Sequence, residues 1–307
     1  MNGALAAIVA PGFFASAPVQ VAAAVGALVA LVSGTVGVFT VIRGQAFAGE
    51  ALGDIGTTGE SGAFLVGVGP LWGLAGVAVA AAAVMELIGI QRPRGRDLAT
   101  GIVLGAGLGL AALLLYLYNV DHSASGATFT ILFGSPFAIS SSTIPLVVAF
   151  AVVALGLMLA LFRPLLLSSV SPELAAARGI PVRLVGGLYL LALAAAVALA
   201  AFTIGTILST ALLVGPAATA LRLTRSPARA LLAAGLIGVG AMWLGILMAY
   251  DSYDWPPAGH GWPVSFFVVT LILLGYLLAG IRHGRRRRDG GRRSSTLRTT
   301  ALERPGD

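Results

Sequence analysis

The strongest constraint on this chain is repetition. From residue 19 to residue 281 it is a succession of apolar runs, most of them long enough to cross a bilayer, joined by short polar segments. About 20 apolar residues in an α-helix span the hydrocarbon core. In lipid only helices or closed barrels satisfy every backbone hydrogen bond. The strand-type alternation of a transmembrane barrel is absent. The runs fall at residues 19–42, 49–68, 71–90, 98–118, 144–167, 230–250 and 263–281, with a longer one at 184–222. That longer run exceeds one span and fits two that turn near residues 203–206. The expected fold is an all-α polytopic membrane protein of nine transmembrane helices, or eight if 184–222 re-enters. The shorter piece 128–139, bounded by Gly134-Ser135-Pro136, reads as interfacial or re-entrant. Residues 1–17 lack the basic start of a signal peptide and read as a short interfacial helix.

Charge orients the bundle. Every basic residue is arginine. With nine spans, Arg43, Arg92, Arg94, Arg96, Arg163, Arg178, Arg183, Arg222, Arg225 and Arg229 share one side with the C-terminal tail. The opposite loops carry Asp121, Asp251 and Asp254 and no arginine. The positive-inside rule makes the arginine side cytoplasmic, with the N-terminus outside. The net charge of +7 does not point to nucleic acid. Residues 282–307 hold nine Arg against Asp289, Glu303 and Asp307, and so supply +6 of it. Residues 1–281 are expected to form the membrane domain, and 282–307 a disordered basic tail held near anionic lipid. There is no cysteine, which removes disulfides and thiolate ligands. Without lysine no phosphate-binding G-x-x-x-x-G-K-[ST] loop exists, and no nucleophile–base pair suggests an enzyme.

The segment 44–69 is the anomaly. It lies between two apolar runs, yet carries Glu50, Asp54 and Glu60. On a helix Glu50, Asp54, Thr57 and Ser61 form one narrow polar stripe, while Gly49, Gly53, Gly56 and Gly59 fall mostly on another face. Carboxylates in hydrocarbon usually face a bundle interior or a solute path. Two of them one turn apart, with hydroxyls from Thr57, Thr58 or Ser61, match the oxygen chemistry of a divalent cation. The bland alternative is that Glu50 and Asp54 snorkel to the cytoplasmic water. Glu86, near the cytoplasmic end of its span, reads as a snorkelling residue.

Two further stretches stand out. In residues 171–181, Ser171 at the N-cap, Pro172 at the first position, Glu173 in the first turn and Gly179 after the last turn describe a short cytoplasmic helix with built-in start and stop signals. It suits a docking element for a soluble partner or a plain connector. In residues 212–220, Gly215-Pro216 inside a span suggests a functional break or a packing kink. At the outer face Asp251, Asp254 and His260 could meet an incoming cation, or be ordinary solvated loop residues.

Together these stretches resemble the permease family of ATP-binding-cassette importers for divalent metals (zinc, manganese, iron). Gly49-Glu50-Ala51-Leu52-Gly53-Asp54 is similar to that family's G-D-A-L-S-H segment. Residues 171–181 resemble its D-P-E-L-A-x-x-x-G-V coupling segment, also found in cobalamin and siderophore permeases. Residues 212–222 resemble its L-L-x-x-P-A-A-T-A-x-x-L segment. Phe133-Gly134 and Pro256-Pro257 fall where similar residues occur. The order and spacing agree over residues 22–281.

The resemblance implies a multi-pass protein of a prokaryotic cytoplasmic membrane, paired with a second permease copy or paralogue. It implies a cytoplasmic ATP-binding subunit and an extracytoplasmic solute-binding protein. Ser171, Pro172, Glu173, Leu174, Arg178 and Gly179 would couple to the ATPase, with no cofactor held permanently and the metal as cargo. Where the family has Asp and His, this chain has Glu50 and Asp54. Its stripe therefore offers oxygen alone, which favours manganese or ferrous iron over zinc. The alternative is a self-contained secondary transporter or channel, with the carboxylates as a cation or proton relay.

Overall fold

The structure is a computed structural model that describes residues 16–87, 93–122, 126–134, 136–255 and 261–281. Eleven α-helices follow in chain order: α1 (Ala17–Ile42), α2 (Ala46–Val66), α3 (Pro70–Leu87), α4 (Pro93–His122), α5 (Gly126–Phe133), α6 (Ile144–Val170), α7 (Pro172–Ala177), α8 (Val182–Ile204), α9 (Thr206–Leu223), α10 (Pro227–Asp251) and α11 (Val264–Ile281). Among the described residues, eight helices are long and apolar enough to cross a membrane. The 21-residue α2 matches them in length but carries three carboxylates. Counting α2, nine of the described helices reach that length, in line with the arginine pattern, and the chain is a multi-pass membrane protein.

Contacts between helix ends fix the sidedness. Arg43, at the end of α1, donates to Ser168 and Ser169 at the end of α6 (3.3 and 3.4 Å) and lies over the Tyr189 ring near the start of α8. Arg222, at the end of α9, donates to the Tyr276 hydroxyl near the end of α11. These arginine-bearing ends therefore gather on one side. On the other side Trp72 meets Phe150, and Trp255, Trp262, Phe266 and Phe267 stack into one cluster. Buried Ser252 ties that outer loop down, donating to Ala249 O and accepting from Trp262 N. Interfacial aromatics suit this level of a bilayer.

The centre of the fold is made of small residues. α8 runs Ala192, Ala194, Ala195, Ala196, Ala198, Ala200 and Ala201 through the core, all buried. Helices in lipid gain little from apolar burial and associate by close packing, so small side chains let neighbours approach. α8 accordingly touches α1, α2, α3, α6 and α9. α1 and α8 are the innermost spans, with 67% and 72% of their apolar windows buried; α4 is outermost at 17%.

The expected turn near residues 203–206 occurs at Gly205. Its φ of 88° ends α8 and starts α9, a conformation that L side chains rarely adopt. α5 docks there: Thr206 Oγ1 donates to Ile131 O at 3.3 Å, and a Cβ on Gly205 would collide with the Leu132 and Phe133 backbone. The short piece after α4 is thus a separate eight-residue helix, docked at the α8–α9 junction and followed by two 3-10 turns, Pro136–Ala138 and Ser141–Thr143. The Gly215-Pro216 stretch breaks nothing. α9 continues through Pro216 to Leu223, and Gly215 makes room for Ile272 of α11. Residues 282–307 and 1–15 lie outside the described residues.

Candidate functional site

α2 begins after a tight turn. Gly44 (φ 62°) lets Gln45 N reach Thr40 O at 2.9 Å, which redirects the chain back into the membrane. It ends at Gly67 in the left-handed conformation. Between these stops, burial grows with depth. Glu50 is exposed, Asp54 half-buried, and Thr57, Thr58 and Ser61 are buried.

The neighbours of α2 locate the stripe. On one flank Ile55 packs on Gly107 of α4, and the Thr58 hydroxyl donates to Gly107 O at 2.7 Å. On the other flank Gly49 backs onto Leu213 of α9, and Gly53 onto Val197 of α8 and the Ser209 hydroxyl of α9. On the far face Gly59 and Gly73 of α3 meet backbone to backbone. A Cβ at Gly59 would collide with the α3 backbone; Gly56 lies against Leu74 of α3 at near-contact distance, and Gly49 and Gly53 meet side chains. At about 100° per residue, Glu50, Asp54, Thr57 and Ser61 point into the sector between α4 and α9. That sector is the one the protomer leaves open at Glu50.

The hydroxyls are already committed as donors. Thr57 Oγ1 donates to Asp54 O at 2.5 Å and Thr58 to α4, so towards a solute both offer lone pairs only. Beside Glu50 and Asp54, Thr57 leaves the stripe with oxygen acceptors alone, of the kind hard divalent cations take, while Thr58 is turned to the α4 flank.

Glu60 is separate. It sits about 100° round the helix from the stripe. It is 3% exposed, and its Oε2 has no hydrogen-bond partner. It lines an outer cleft of 240 Å³ with Phe64, Thr130, Ser140, Thr143 and Phe202. Among the described residues no three His, Asp or Glu stand close enough to hold a metal together. Within one protomer the carboxylates thus form an inner pair and an outer single. The cleft hydroxyls of Thr130, Ser140 and Thr143 escaped the sequence reading. They come from α5 and the turns after it, whose docking depends on the Gly205 break, far away in sequence.

The cytoplasmic helix is as its sequence describes, apart from one residue. Ser171 Oγ accepts from Leu174 N at 3.3 Å, Glu173 lies in the first turn, and Arg178 is the C-cap and not part of the helix. Gly179 (φ 77°) and Ile180 return their N–H groups to Ala176 and Ala175, closing the helix with a Schellman motif. Ala175 is buried while Pro172, Glu173, Leu174, Arg178 and Gly179 are exposed. The helix is pinned by one small residue and presents the rest outward. Of the proposed outer entrance, Asp251 is half-buried at the end of α10. Asp254 ends a 3-10 turn, but its side chain lies outside the described residues, as do His260, Pro256 and Pro257.

Residues 16–279 match the ABC 3 transport family. The chain belongs to that family. Among curated relatives it is 29% identical over 222 residues to the "Manganese transport system membrane protein MntC" of Listeria innocua, covering 72% of this chain and 78% of that one. It is 30% identical over 223 residues to the "Manganese import system permease protein ScaB" of Streptococcus parasanguinis, covering 73% and 78%. Among solved structures it is similar to PsaBC from Streptococcus pneumoniae in complex with Fab, with a TM-score of 0.73 and 26% identity over 87% of this chain and 92% of that one. The fold is also that of an inward-facing metal-chelate type transporter, with a TM-score of 0.67 at 18% identity.

Proposed function

We propose that this chain is the permease subunit of an ATP-driven importer for a divalent metal ion, with manganese as the first candidate. The observation that carries the reading is the family membership, together with relatives of matching length that are named manganese permeases. The donor set supports it independently, since Glu50, Asp54 and the Thr57 lone pairs offer oxygen alone. Iron is compatible with the same donors, and zinc fits them less well.

The sector between α4 and α9 suits the solute path. A second permease copy, or a paralogue, facing that sector would close it into a pore lined by both α2 stripes. The ion is delivered at the outer face by an extracytoplasmic binding protein, passes Glu60 and then the Glu50 and Asp54 pair, and leaves at the arginine end. The exposed, doubly capped α7 fits a groove of a cytoplasmic ATPase and carries its closure into the membrane domain. Hydrolysis then belongs to that separate subunit. A self-contained secondary transporter would leave α7 without its purpose, and family membership weighs against it.

The test is reconstitution of the chain with its ATPase in liposomes loaded with a manganese-sensitive dye. ATP is expected to drive manganese movement, and Glu50→Ala with Asp54→Ala to abolish it while both subunits still assemble. Manganese movement without ATP, or full transport by the double variant, would overturn the reading.

A further inference from the structure

Glu60 lies six residues beyond Asp54 on α2, about 9 Å further along the axis and on another face. One ion cannot bridge the two, so the outer cleft must bind on its own. It opens at the end opposite the arginines, where Pro70 begins α3 and Thr143 precedes α6.

The cleft wall has two kinds of surface. Phe64, Pro70 and Phe202 supply apolar area, and Glu60, Ser140 and Thr143 supply oxygen. Among the described residues Glu60 is the one charged side chain of the cleft. It is 3% exposed, and its Oε2 is buried with no hydrogen-bond partner. A carboxylate so placed is costly unless an occupant brings it donors or positive charge. On the α6 side Ser140 Oγ lies 2.8 Å from Ser142 Oγ and 2.9 Å from Thr143 Oγ1. Those two bonds use two of the three hydroxyl protons, and the oxygens keep lone pairs for further donors.

An occupant must therefore be cationic to match Glu60 and rich in donors to match the hydroxyls. A bare divalent ion fits poorly. It takes six or more oxygen ligands, whereas this wall offers one carboxylate, almost wholly buried, and no second charge. A hydrated ion meets both needs, because its inner waters carry the charge outward as polarised O–H donors. Six waters occupy roughly 180 Å³, at about 30 Å³ each, and the cleft holds 240 Å³.

We propose that the Glu60 cleft is an outer divalent-cation site that binds the ion with its water shell kept, and so does not tell manganese from calcium or magnesium. Waters of the shell donate to the Glu60 carboxylate and to the Ser140 and Thr143 hydroxyls. Contact through water reads charge and hydrated size, which these ions nearly share. Direct ligation, in which they differ, does not occur here, and selectivity falls to a later step. The role of the site rests on the import reading: calcium or magnesium outside the cell competes with the cargo for entry. The binding itself does not depend on that reading.

The test is manganese titration of the full-length chain, purified without a binding protein, placed in phosphocholine nanodiscs and followed by electron paramagnetic resonance. Parallel samples carry Glu60→Gln or Ser140→Ala. The unmodified chain is expected to bind one more manganese per protomer than Glu60→Gln, with a Kd on the order of 0.1–1 mM. Electron–nuclear double resonance of the water protons should show that ion with about six water ligands. Calcium and magnesium should displace it with Kd values within about threefold of manganese. Ser140→Ala, at an exposed position, should weaken binding about threefold and leave the buried carboxylate in place. In uptake assays added calcium should slow manganese entry, and Glu60→Gln should remove that inhibition. Equal manganese stoichiometry with and without Glu60, an ion stripped of most of its waters, or calcium and magnesium more than tenfold weaker would overturn the proposal. The titrations hold even if ATP fails to drive uptake. Uptake that proceeds while the Glu60-dependent ion is missing would overturn this site alone.

Discussion

The two ends of α2 carry the same functional group in opposite settings. At the inner end Glu50 is exposed and Asp54 half-buried, one helical turn apart. At the outer end Glu60 is 3% exposed, with one oxygen lacking any partner, against a cleft of hydroxyls. Water reaches Glu50, and Asp54 lies one turn deeper. A carboxylate buried without a partner is expensive, by several kcal/mol if it is ionised. On the proposed route the inner pair would hold or release a cation beside water, where an ion sheds little of its hydration. Glu60 gains most from a cation, since an arriving ion would relieve it. On the proposed route the outer end captures and the inner end hands over.

The largest expected effect is in transport. Glu50→Gln combined with Asp54→Asn should lower the initial rate of ATP-driven manganese uptake by roughly 100-fold, about 2.7 kcal/mol of transition-state stabilisation. Glu60→Gln should lower it less, by roughly tenfold. The two changes should separate in stability. Replacing a buried carboxylate with an unpartnered oxygen by its neutral isostere is expected to raise the thermal midpoint in detergent, whereas the inner changes should leave it unchanged. A midpoint that falls for Glu60→Gln, with uptake unaffected by the inner pair, would reverse the assignment of the two ends.

Next in size is the packing that holds both ends on one straight helix. Gly59 and Gly73 meet backbone to backbone, so a Cβ at Gly59 has no space, whereas at Gly62 it would make ordinary contact with Leu114. Gly59→Ala is expected to destabilise by roughly 2–3 kcal/mol. Gly62→Ala should be neutral, or stabilising by about 0.5–1 kcal/mol through helix propensity. Thermal unfolding of the two variants side by side decides it. Equal shifts would mean that α2 and α3 are not in close contact between the two carboxylate stations.

The inner end was far more legible in the sequence than the outer. Glu50, Asp54, Thr57 and Ser61 declare themselves through spacing on a single helix. The caps of α7 do so too, because Ser171, Pro172 and Gly179 act within a few residues of one another. The arginine series fixed nine spans for a similar reason: each arginine reports only the end of its own helix. The setting of Glu60 was not legible. Its cleft is assembled from α2, the piece after α5, and Phe202 on α8, which meet only because α5 docks at the Gly205 break. Arg43 likewise reads as a span-ending charge, yet it joins three helices through Ser168, Ser169 and Tyr189. Signals carried by one helix survive in the sequence. Those made by packing distant helices do not.

The smallest effect sharpens the boundary of the inner station. Thr58 lies at the edge of the stripe, and its hydroxyl donates to Gly107 O on α4. If that bond makes Thr58 a brace between α2 and α4, Thr58→Val keeps the shape and removes one hydrogen bond. Gly107 O is part of a helix and has its own N–H partners within reach, so no acceptor is stranded. The expected loss of stability is then about 0.5–1 kcal/mol, with manganese uptake close to that of the unmodified protein. Thr57→Val provides the matched comparison, because its hydroxyl only bonds back to Asp54 O on its own helix. Thr57 is buried on the stripe face one turn beyond Asp54, so on the proposed route uptake should fall while stability holds. Uptake that falls for Thr58→Val as far as for the carboxylate changes would make Thr58 a ligand and extend the inner station across to α4.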